Sequence, residues 1–491
     1  MKNKRLLLTL HNNQSPYEGV RNTLMDEITA ILDPSRNATD IINDLKEKSI
    51  DIPEWSKLIN DYEPTKHKIV QDHCNRKDKE RSDGVIEIAS RIHVGLEKLL
   101  TKRMTEFMYA IPVKRIYHNT EGNEIRQQIA KAIEAIYKYA RIDSENIKRG
   151  VAYFASCEIF TIWYAVQKDN TLYGFESKYK LKCKTYSPMD GVLLYPLIDE
   201  LGDMLAMSFQ YKKKVKDVEI IYFETYTANQ HYLWKQAGNG WELVMSEPVS
   251  LLKIPGAYAC RPEPIYHGLS HFREEIEYTL SRNSDVIAYN SSPILKVVGD
   301  LTGSENKGES RRVYQLKNGG DIAYVSWSQA IEALKYHVDT LLKLFFMQSQ
   351  MPDVSFENMK SLGSIGYDAR QMLLTDAHLK VGDESGPWIE FFERECSVIK
   401  QFLKMMNTSW AKEVDNVEVE HVITPFIQND ETAMITRLQK GNGGKAIFSQ
   451  LESIKMAGYS NDPEKTLKQI QKEDEMALHA RMTNALTETA I

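Results

Sequence analysis

The sequence has few cysteines and arranges none of them in pairs. Its five cysteines are unclustered over 491 residues, at Cys74, Cys157, Cys183, Cys260 and Cys396. An odd number of scattered thiols argues against a disulfide framework, and the missing Cys-x-x-Cys spacing argues against a structural zinc site. His67 and His73 lie near Cys74 but have no second ligand pair at metal-binding spacing. We therefore expect free thiols, no metal and no cofactor.

Long apolar runs are also missing. A membrane-spanning helix needs about 20 consecutive apolar residues, and no run approaches that length. Near the start of the chain, Lys2, Lys4 and Arg5 precede the apolar run Leu6–Leu8, which is too short for a signal peptide. These features predict a protein that is made and assembled in the cytoplasm and has no membrane partner.

Familiar catalytic motifs are absent as well. The sequence contains no His-Glu-x-x-His, no Gly-x-Ser-x-Gly and no paired cysteine ligands. Gly441–Ala446 resembles a phosphate-binding loop, but its first glycine is misplaced and Ala446 replaces the hydroxyl that would hold magnesium. A turn that links two helices is the better interpretation. We predict no catalytic residue and therefore no enzyme.

The sequence lacks an excess of positive charge, since 62 Lys and Arg against 68 Asp and Glu give a net charge of −6. Affinity for nucleic acid comes mainly from cationic side chains that neutralise phosphates. The balance therefore argues against a protein that grips nucleic acid over its whole surface. It leaves open a channel through which DNA slides, because tight phosphate contacts would slow that movement. The basic stretch Lys66–Arg81 is interpreted as a solvated face.

The composition is that of an ordinary globular chain, with 42% hydrophobic and 26% charged residues. Its length leaves room for about three domains of ~150 residues each. Helical periodicity predicts a helix over Gly84–Ile111 and another that ends near Gly150. From Val151 to Val244, alternating segments between Asn-, Gly- and Asp-bearing turns predict antiparallel strands. With helices before and after these strands, we predict an α+β fold.

The stretch Pro264–Lys380 has the most distinctive pattern, which is helix, strands, helix, loop, helix. In its first helix, apolar residues recur every three to four positions and predict a packed stripe. The charged residues between them are assigned to a solvated face: Arg273, Glu274, Glu275 and Glu277. Residues 293–298, 313–316 and 322–325 predict short strands joined by a Gly- and Ser-rich connection and a glycine turn. Together these segments predict a helical hairpin with a strand-bearing tip.

The order and wording of these segments resemble the portal proteins of tailed bacteriophages, where a stem helix, a clip, a second stem helix and a tunnel loop follow one another. The segments that carry the likeness are Pro264–Asn290, Pro293–Val297, Gly319–Tyr324, Ile331–Leu334, Met351–Val354 and Gly363–Gly366. The likeness covers about residues 85 to 480. One feature departs from it: portals tend to carry one long helix after the tunnel loop, whereas Gly382–Pro387 predicts an interruption.

The resemblance implies a division of the chain into the parts of a portal. These are an N-terminal helical and basic extension (1–83), the first part of a β-containing wing domain (84–265), a stem helix (266–290), a clip (291–328), a second stem helix (329–350), a tunnel loop (351–364), a long kinked helix with the second part of the wing (365–428), and crown helices (429–491).

The resemblance also implies two groups of functional residues. The tunnel loop would project into a channel, where Asn358, Lys360 and Ser361 are expected to approach DNA phosphates. At the clip, the Gly319 and Gly320 turn with Ile322 and Tyr324 is expected to contact neighbouring subunits and the adaptor. Gly319 and Gly320 would form the turn, and Ile322 and Tyr324 would lie on the strand that follows it.

The function that the resemblance implies is a homo-oligomeric ring, the family's usual dodecamer, at the unique portal vertex of the virion. Double-stranded DNA would be packaged and ejected through it. The implied protein partners are the terminase large subunit, which would supply the energy, a head-tail adaptor, the major capsid protein and a scaffolding protein.

Two other functions remain open at this point. One is an enzyme, such as a nuclease or transferase, whose active site is assembled from distant segments. The other is a different ring-forming head-tail connector component, although such chains are usually much shorter. A large ring without metal or cofactor dependence would distinguish a portal from an enzyme.

Overall fold

The computed structural model describes residues 28–71, 76–80, 82, 84–199, 202–290, 294–298, 301–306, 312–316, 321–325, 331–353, 372, 374–426, 431–443, 446–460 and 462–488. The chain forms two units. The first joins Met1–Pro352 to Asp376–Phe426, and the second joins Asp353–Thr375 to Ile427–Ile491. Helices and antiparallel sheets occur together, which confirms the predicted α+β fold.

The helices are separated by turns and strands, and several begin at a side-chain cap. Asn37 accepts a hydrogen bond from the Thr39 amide, and Asn123 accepts from the Ile125 and Arg126 amides, which satisfies amides that have no partner within the helix. In chain order the helices are α1 (Ala38–Glu47), α2 (Trp55–Tyr62), α3 (Leu96–Tyr109), α4 (Glu124–Ala140), α5 (Ile142–Ser156), α6 (Ser270–Asn290), α7 (Ile331–Ser349), α8 (Thr375–Met406), α9 (Glu431–Asn442), α10 (Gln450–Ala457) and α11 (Pro463–Glu488).

The strands pair only with antiparallel neighbours in the part of the chain that the structure describes. They are β1 (Lys79–Glu80), β2 (Ile86–Glu87), β3 (Lys114–His118), β4 (Glu158–Asn170), β5 (Ser177–Tyr186), β6 (Leu193–Ile198), β7 (Met204–Val215), β8 (Val218–Thr227), β9 (Gln230–Ala237), β10 (Gly240–Pro248), β11 (Gly256–Cys260), β12 (Ile294–Val298), β13 (Leu301–Asn306), β14 (Arg312–Leu316), β15 (Asp321–Val325) and β16 (Glu418–Val422).

Two sheets form the centre of the first unit. A five-stranded sheet has the order β10-β9-β8-β7-β6, and a three-stranded sheet has the order β11-β4-β5. The strand β16 returns from the far end of the chain and pairs with β3, so that Glu420 lies opposite Ile116. This pairing ties residues 418–422 to the first third of the chain.

The buried clusters show how these elements are layered. Phe160 and Phe209 belong to a cluster between the two sheets, whereas Trp163, one position from Ile162 on β4, packs with α4 and α8 on the opposite face of the three-stranded sheet. On the far side of the five-stranded sheet, Phe223 and Trp234 pack with residues of α1. Because neighbouring strand residues point to opposite faces, the same strands contribute side chains both to the interface between the two sheets and to the interfaces with the helices.

Two helix boundaries differ from the prediction. The helix predicted to start at Gly84 starts at Leu96 instead; before it, Ile86–Glu87 forms a short strand and residues 88–95 belong to neither a helix nor a strand. The helix predicted to end near Gly150 continues to Ser156, and Cys157 ends it with a left-handed φ of 69°. Residues 151–156 are apolar and largely buried, so their tertiary packing decides the structure that their composition leaves ambiguous.

The predicted interruption at Gly382–Pro387 is wrong. Helix α8 runs without a break from Thr375 to Met406 and contains Pro387. Proline removes one backbone hydrogen bond and crowds the carbonyl four residues earlier; here that carbonyl belongs to Asp383, which is exposed to water. Buried side chains on both sides of the proline hold the helix together, namely Val381, Trp388, Phe391 and Phe392.

Candidate functional site

The helical hairpin predicted from the sequence is present. Helices α6 and α7 pack against each other, and the chain between them forms two antiparallel strand pairs, β12 with β15 and β13 with β14. The strands predicted at 293–298, 313–316 and 322–325 are confirmed as β12, β14 and β15. The Gly- and Ser-rich stretch was predicted as a connection between strands, but Leu301–Asn306 within it forms β13, because β14 provides it with a partner.

The predicted site residues fall into two groups. Ile322 and Tyr324 lie on β15, where Ile322 pairs with Val297 and Tyr324 pairs with Leu295. The others lie outside the described residues, and these are Gly319, Gly320, Asn358, Lys360 and Ser361. The structure therefore brings Ile322 and Tyr324 to one short strand pair between α6 and α7.

Helix α6 carries a buried polar stripe that the sequence pattern did not reveal. Arg273, Glu277 and Ser281 stand four residues apart and are at most 1% exposed. The prediction that Arg273 and Glu277 face solvent is therefore wrong. Glu274 and Glu275 do lie at the surface, with 32% and 53% of their side chains exposed. Residues four apart share one face of a helix, so the buried residues form a continuous line along α6.

An extended segment runs beside this line and is bonded to it. We call residues 88–95 the strap. The amide of Val94 donates to Glu277 Oε1 at 2.9 Å, and the amide of Ile92 donates to Ser281 Oγ at 2.8 Å. One helical turn further, the amide of Ser90 donates to Asp285 Oδ1 at 2.9 Å.

The spacing of the strap bonds follows from elementary geometry. Two residues of extended chain advance about 6.7 Å, and four residues of α-helix advance about 6 Å. Alternate amides of the strap therefore meet every fourth side chain of α6 in antiparallel order. The helix side chains replace the neighbouring strand that an extended segment would otherwise need to satisfy its amides.

Arg273 lies at the centre of a buried ionic cluster. Its Nε donates to Glu97 Oε1 at 2.7 Å, and one of its terminal nitrogens donates to Asp61 Oδ1 at 2.8 Å. The other terminal nitrogen is 3.5 Å from Glu277 Oε2. The cluster joins three helices, since α2 supplies Asp61, α3 supplies Glu97, and α6 supplies both Arg273 and Glu277.

His67 completes this cluster. Its Nδ1 lies 2.5 Å from Glu277 Oε1, and its Nε2 lies 3.0 Å from the carbonyl oxygen of Asp61. Glu277 Oε1 also accepts the Val94 amide. Through its two ring nitrogens, His67 therefore connects Glu277 of α6 to the backbone of α2 at Asp61.

Burial raises the pKa of Glu97 to about 7, although Arg273 and His67 oppose that shift. The carboxyl group is completely enclosed, so water cannot stabilise its charge. The position of the cluster at the start of α6 means that this titration occurs where the hairpin joins the rest of the first unit.

A second buried ion pair lies in the core of the first unit. Arg149 on α5 donates from two nitrogens to the carboxylate of Glu395 on α8, at 2.6 and 3.3 Å, and both side chains are fully buried. The indole of Trp163 donates to the same carboxylate at 2.8 Å. The pair and the indole thus join α5, β4 and α8 inside the core.

The cysteines of the described residues are free thiols. Burial raises the pKa of Cys157 to about 12 and the pKa of Cys396 to about 11, which disfavours the reactive thiolate. Among the described residues, no group of His, Cys, Asp and Glu side chains is arranged to hold a metal ion. Within the same residues, no helix combines the length and apolar character needed to cross a membrane.

The turn predicted from the phosphate-loop likeness is consistent with the described residues around it. Gly441 lies near the end of α9, and a Cβ atom at this position would come within 2.5 Å of the Phe448 ring. Gly441 therefore serves close packing of the chain between two helices.

One sequence signal could have revealed the buried line of α6, which is a polar residue at every fourth position: Arg273, Glu277, Ser281 and Asp285. Arg273 and Glu277 were predicted to face solvent only because their side chains are charged. The partners of this line come from residues 61–97, more than 170 positions earlier. Sequence periodicity carries no information about contacts at that separation.

Comparison with known proteins gives a family match and a likeness to solved structures. The family described as "Phage portal protein, SPP1 Gp6-like" matches residues 40–479. No curated protein matches the chain. A solved structure titled "Neck of empty GTA particle computed with C6 symmetry" is similar at 10% sequence identity and a TM-score of 0.35, over 74% of this chain and 89% of the other. That TM-score is too low to carry an argument, so the assignment relies on the family match.

Proposed function

The chain belongs to the SPP1 Gp6-like phage portal protein family, and from this premise we propose that its copies form the ring-shaped channel at one vertex of a phage capsid. Double-stranded DNA would enter and leave the capsid through this channel. The observation that carries the proposal is the continuity of the family match, which extends over residues 40–479 and thus includes both sheets, the hairpin and the C-terminal helices.

The hairpin α6–α7 is the part that we assign to the channel wall. Its base is held by the ionic cluster around Arg273 and by the strap, so that α6 is fixed along three successive turns. A wall that guides a stiff polyanion benefits from such a rigid support. The exposed charges of α7 have both signs, with Glu332 and Asp339 beside Lys335 and Lys343, and this balance favours weak contact with DNA over tight binding.

The remaining assignments follow the family's architecture. Residues 266–290 and 329–350 would be the stem helices, 291–328 the clip, 351–364 the tunnel loop, 84–265 with 365–428 the wing and long helix, and 429–491 the crown. In the tunnel loop, Asn358, Lys360 and Ser361 would approach phosphates. One lysine per subunit becomes a ring of charge when symmetry repeats it.

The clip is the part that we assign to docking. The turn at Gly319 and Gly320 and the strand residues Ile322 and Tyr324 would contact neighbouring subunits and the head-tail adaptor. We further propose that the terminase large subunit binds here during packaging, and that the major capsid protein and a scaffolding protein surround the ring. The protein would thus be located at the portal vertex of the virion after assembly in the host cytoplasm.

The experiment that tests the proposal is negative-stain electron microscopy of the purified full chain, together with its mass in solution. We expect closed rings, dodecameric by analogy with the family, whose central opening admits duplex DNA. A small oligomer that stays small on concentration and on addition of a scaffolding protein would overturn the ring. A small oligomer whose thermal stability depends on a metal or cofactor would favour an enzyme instead.

A further inference from the structure

The edge strand β5 carries a row of lysines that neither the fold nor the channel uses. The lysines occupy alternate positions of the strand and therefore share one face, and they are Lys178, Lys180, Lys182 and Lys184. Three of them are exposed, and Lys180 is half-buried. None of the four has a carboxylate partner within the described residues. The alternation spans about 20 Å, since each residue of a strand advances about 3.3 Å.

The opposite face of β5 is fully used. Leu181 and Cys183 alternate with the lysines and point into the core against α4 and α8, so the lysine face is the outward face of this part of the sheet. Its neighbours on β4 are Tyr164, opposite Lys182, and Val166, opposite Lys180. These neighbours are uncharged, so Lys180 and Lys182 have no counter-charge directly opposite them on β4.

The basic surface continues beyond the strand into a groove of about 1260 Å³. Lys184 borders this groove together with Lys212 and Lys213 of β7. Two carboxylates also border it: Glu145 is paired with Lys148 at 2.7 Å, whereas Asp190 accepts a hydrogen bond from the neutral Ser187 hydroxyl at 2.8 Å and keeps its negative charge. Lys212 lies 3.7 Å from Glu219, so Lys184 and Lys213 are the lysines of the groove border that continue the unpaired row.

We propose that the lysine row of β5 is a second, channel-independent contact surface for the phosphate backbone of duplex DNA. The proposal rests on the proposed function only for the source of that DNA, which would be the packaged genome. A duplex carries one negative charge per ~1.7 Å of its axis, so a row of about 20 Å can face roughly twelve charges. The flat, periodic array reads no base sequence, which is what a protein facing a whole genome requires.

The alternative explanation is protection of an edge. Lysines on an edge strand hinder pairing with strands of other molecules, and β5 has an unpaired edge within the described sheet. Protection of an edge requires bulky or charged side chains on the edge strand, but it does not require a lysine at every outward-facing position along the row. The two explanations differ in a measurable property, which is the salt dependence of DNA affinity. Only if the lysines bind phosphates does each of them contribute to that salt dependence.

The test is the affinity of the full chain for a short fluorescein-labelled duplex, measured by anisotropy at a series of salt concentrations. In the K178Q/K180Q/K182Q/K184Q variant, the slope of log affinity against log salt should become shallower by about 3 to 4 per subunit, since each phosphate contact contributes ~0.9. The same four positions changed to arginine should retain the slope of the wild type.

The matched control removes four exposed lysines from other surfaces of the first unit, in the K57Q/K102Q/K131Q/K138Q variant. Its slope should stay close to that of the wild type. Equal slopes in the two glutamine variants would overturn the proposal and leave edge protection as the role. Should the quadruple variant fold poorly, single Lys→Gln changes should each reduce the slope by ~0.9, and an unchanged slope in all four would likewise overturn it.

Ring formation is measured on the same samples. Rings that form normally while the slope falls support a DNA surface. Rings that are lost while the DNA slope is unchanged would overturn it, because the row would then face an acidic surface of the next subunit. The absence of rings in the wild type would count against the proposed channel and not against the lysine row, since anisotropy reports DNA affinity whatever the oligomer.

Discussion

Arg273 shows that a single buried cation can organise three helices. Its guanidinium is 1% exposed and bonds or pairs with Asp61, Glu97 and Glu277. Buried ion pairs contribute little net stability on average, but removal of one partner leaves a charge without compensation. The importance of Arg273 therefore lies in what its loss would leave behind, which is two enclosed carboxyl groups at the base of the hairpin.

Arg273→Met should lower the free energy of unfolding of the first unit by about 3 to 5 kcal/mol, because Glu97 and Glu277 lose their cation in a buried site. Chemical denaturation followed by circular dichroism measures this change. Arg282→Met, on the exposed face of the same helix, is the matched control and should change stability by less than ~0.5 kcal/mol. Similar effects for the two variants would show that the cluster does not bear on stability.

Addition of Glu97→Gln to Arg273→Met should restore part of the loss, because it removes one of the two uncompensated carboxyl groups. Burial already raises the pKa of Glu97 to about 7, so the neutral form is accessible to this side chain near neutral pH. A double variant less stable than Arg273→Met alone would contradict the ionic interpretation of the cluster.

His421 should make the free energy of unfolding depend on pH, and its lowered pKa determines the direction of that dependence. It lies on β16 between the rings of Tyr137 and Phe392, and burial, assisted by Arg115 and Lys400, lowers its pKa to about 4. In the unfolded chain a histidine titrates near 6.5. As the pH falls from about 6.5 to 4, His421 becomes protonated in the unfolded state but stays neutral in the folded state, so the free energy of unfolding decreases over this pH range.

The expected loss from His421 is about 2 kcal/mol between pH 7.5 and pH 5, from the two pKa values and linkage. The measurement compares wild type with His421→Leu at both pH values, because titrations shared by the two proteins cancel in the difference. The wild type should lose more stability than the variant on acidification. Parallel pH profiles would mean that the imidazole is accessible to protons in the folded state.

At the scale of elements, the sequence predicted the hairpin, its strand-bearing tip and the main strands, because each has a local period. It did not predict β13 or the strap. Leu301–Asn306 has weak strand propensity and is a strand because β14 pairs with it, and residues 88–95 are extended because α6 offers acceptors at matching intervals. Both depend on partners distant in sequence, and for the strap the partner is a helix, which no strand pattern encodes.

The helix break predicted in α8, which the structure contradicts, also shows that packing against distant residues can outweigh a local sequence signal. Gly382, Gly386 and Pro387 are the residues that usually end a helix. They sit on the exposed side of α8, whereas Trp388 and Phe391 anchor the other side in the core. The free energy of burying two aromatic side chains exceeds the propensity cost of two glycines.

Two glycines should respond oppositely to the same substitution. Gly382 has open space around the position of a Cβ atom, so alanine there should stabilise α8 by about 0.5 to 1 kcal/mol through helix propensity. At Gly150 of α5, a Cβ atom would lie 2.7 Å from the Thr105 methyl group on α3. Gly150→Ala should therefore destabilise the protein, because α3 and α5 would have to move apart.

Thermal unfolding of the full chain measures both effects. Gly382→Ala should melt higher than the wild type, and Gly150→Ala should melt lower. A rise in melting temperature for Gly150→Ala would mean that α3 and α5 separate at no cost, which would contradict the close packing described here.

At the scale of the whole molecule, the first unit is completed by residues that lie late in the chain. The three buried clusters described here for the first unit contain no residue beyond Val419. Residues 407–426 belong to that unit, because Trp410, Val414 and Val417 fill one cluster and β16 pairs with β3. The chain thus leaves the first unit and returns to complete it.

Two truncations separate these contributions. A chain ending at Phe426 should keep the cooperative unfolding of the first unit, because every residue of the three clusters described above remains and Phe426 still donates its amide to Phe107. A chain ending at Met406 removes only 20 residues more but exposes the cluster that Trp410 and Val417 cover and leaves β3 without its partner. It should unfold at a much lower denaturant concentration or fail to fold. Equal midpoints for the two truncations would mean that β16 and the residues before it add nothing to the first unit, and the division at residue 426 would have to be drawn earlier.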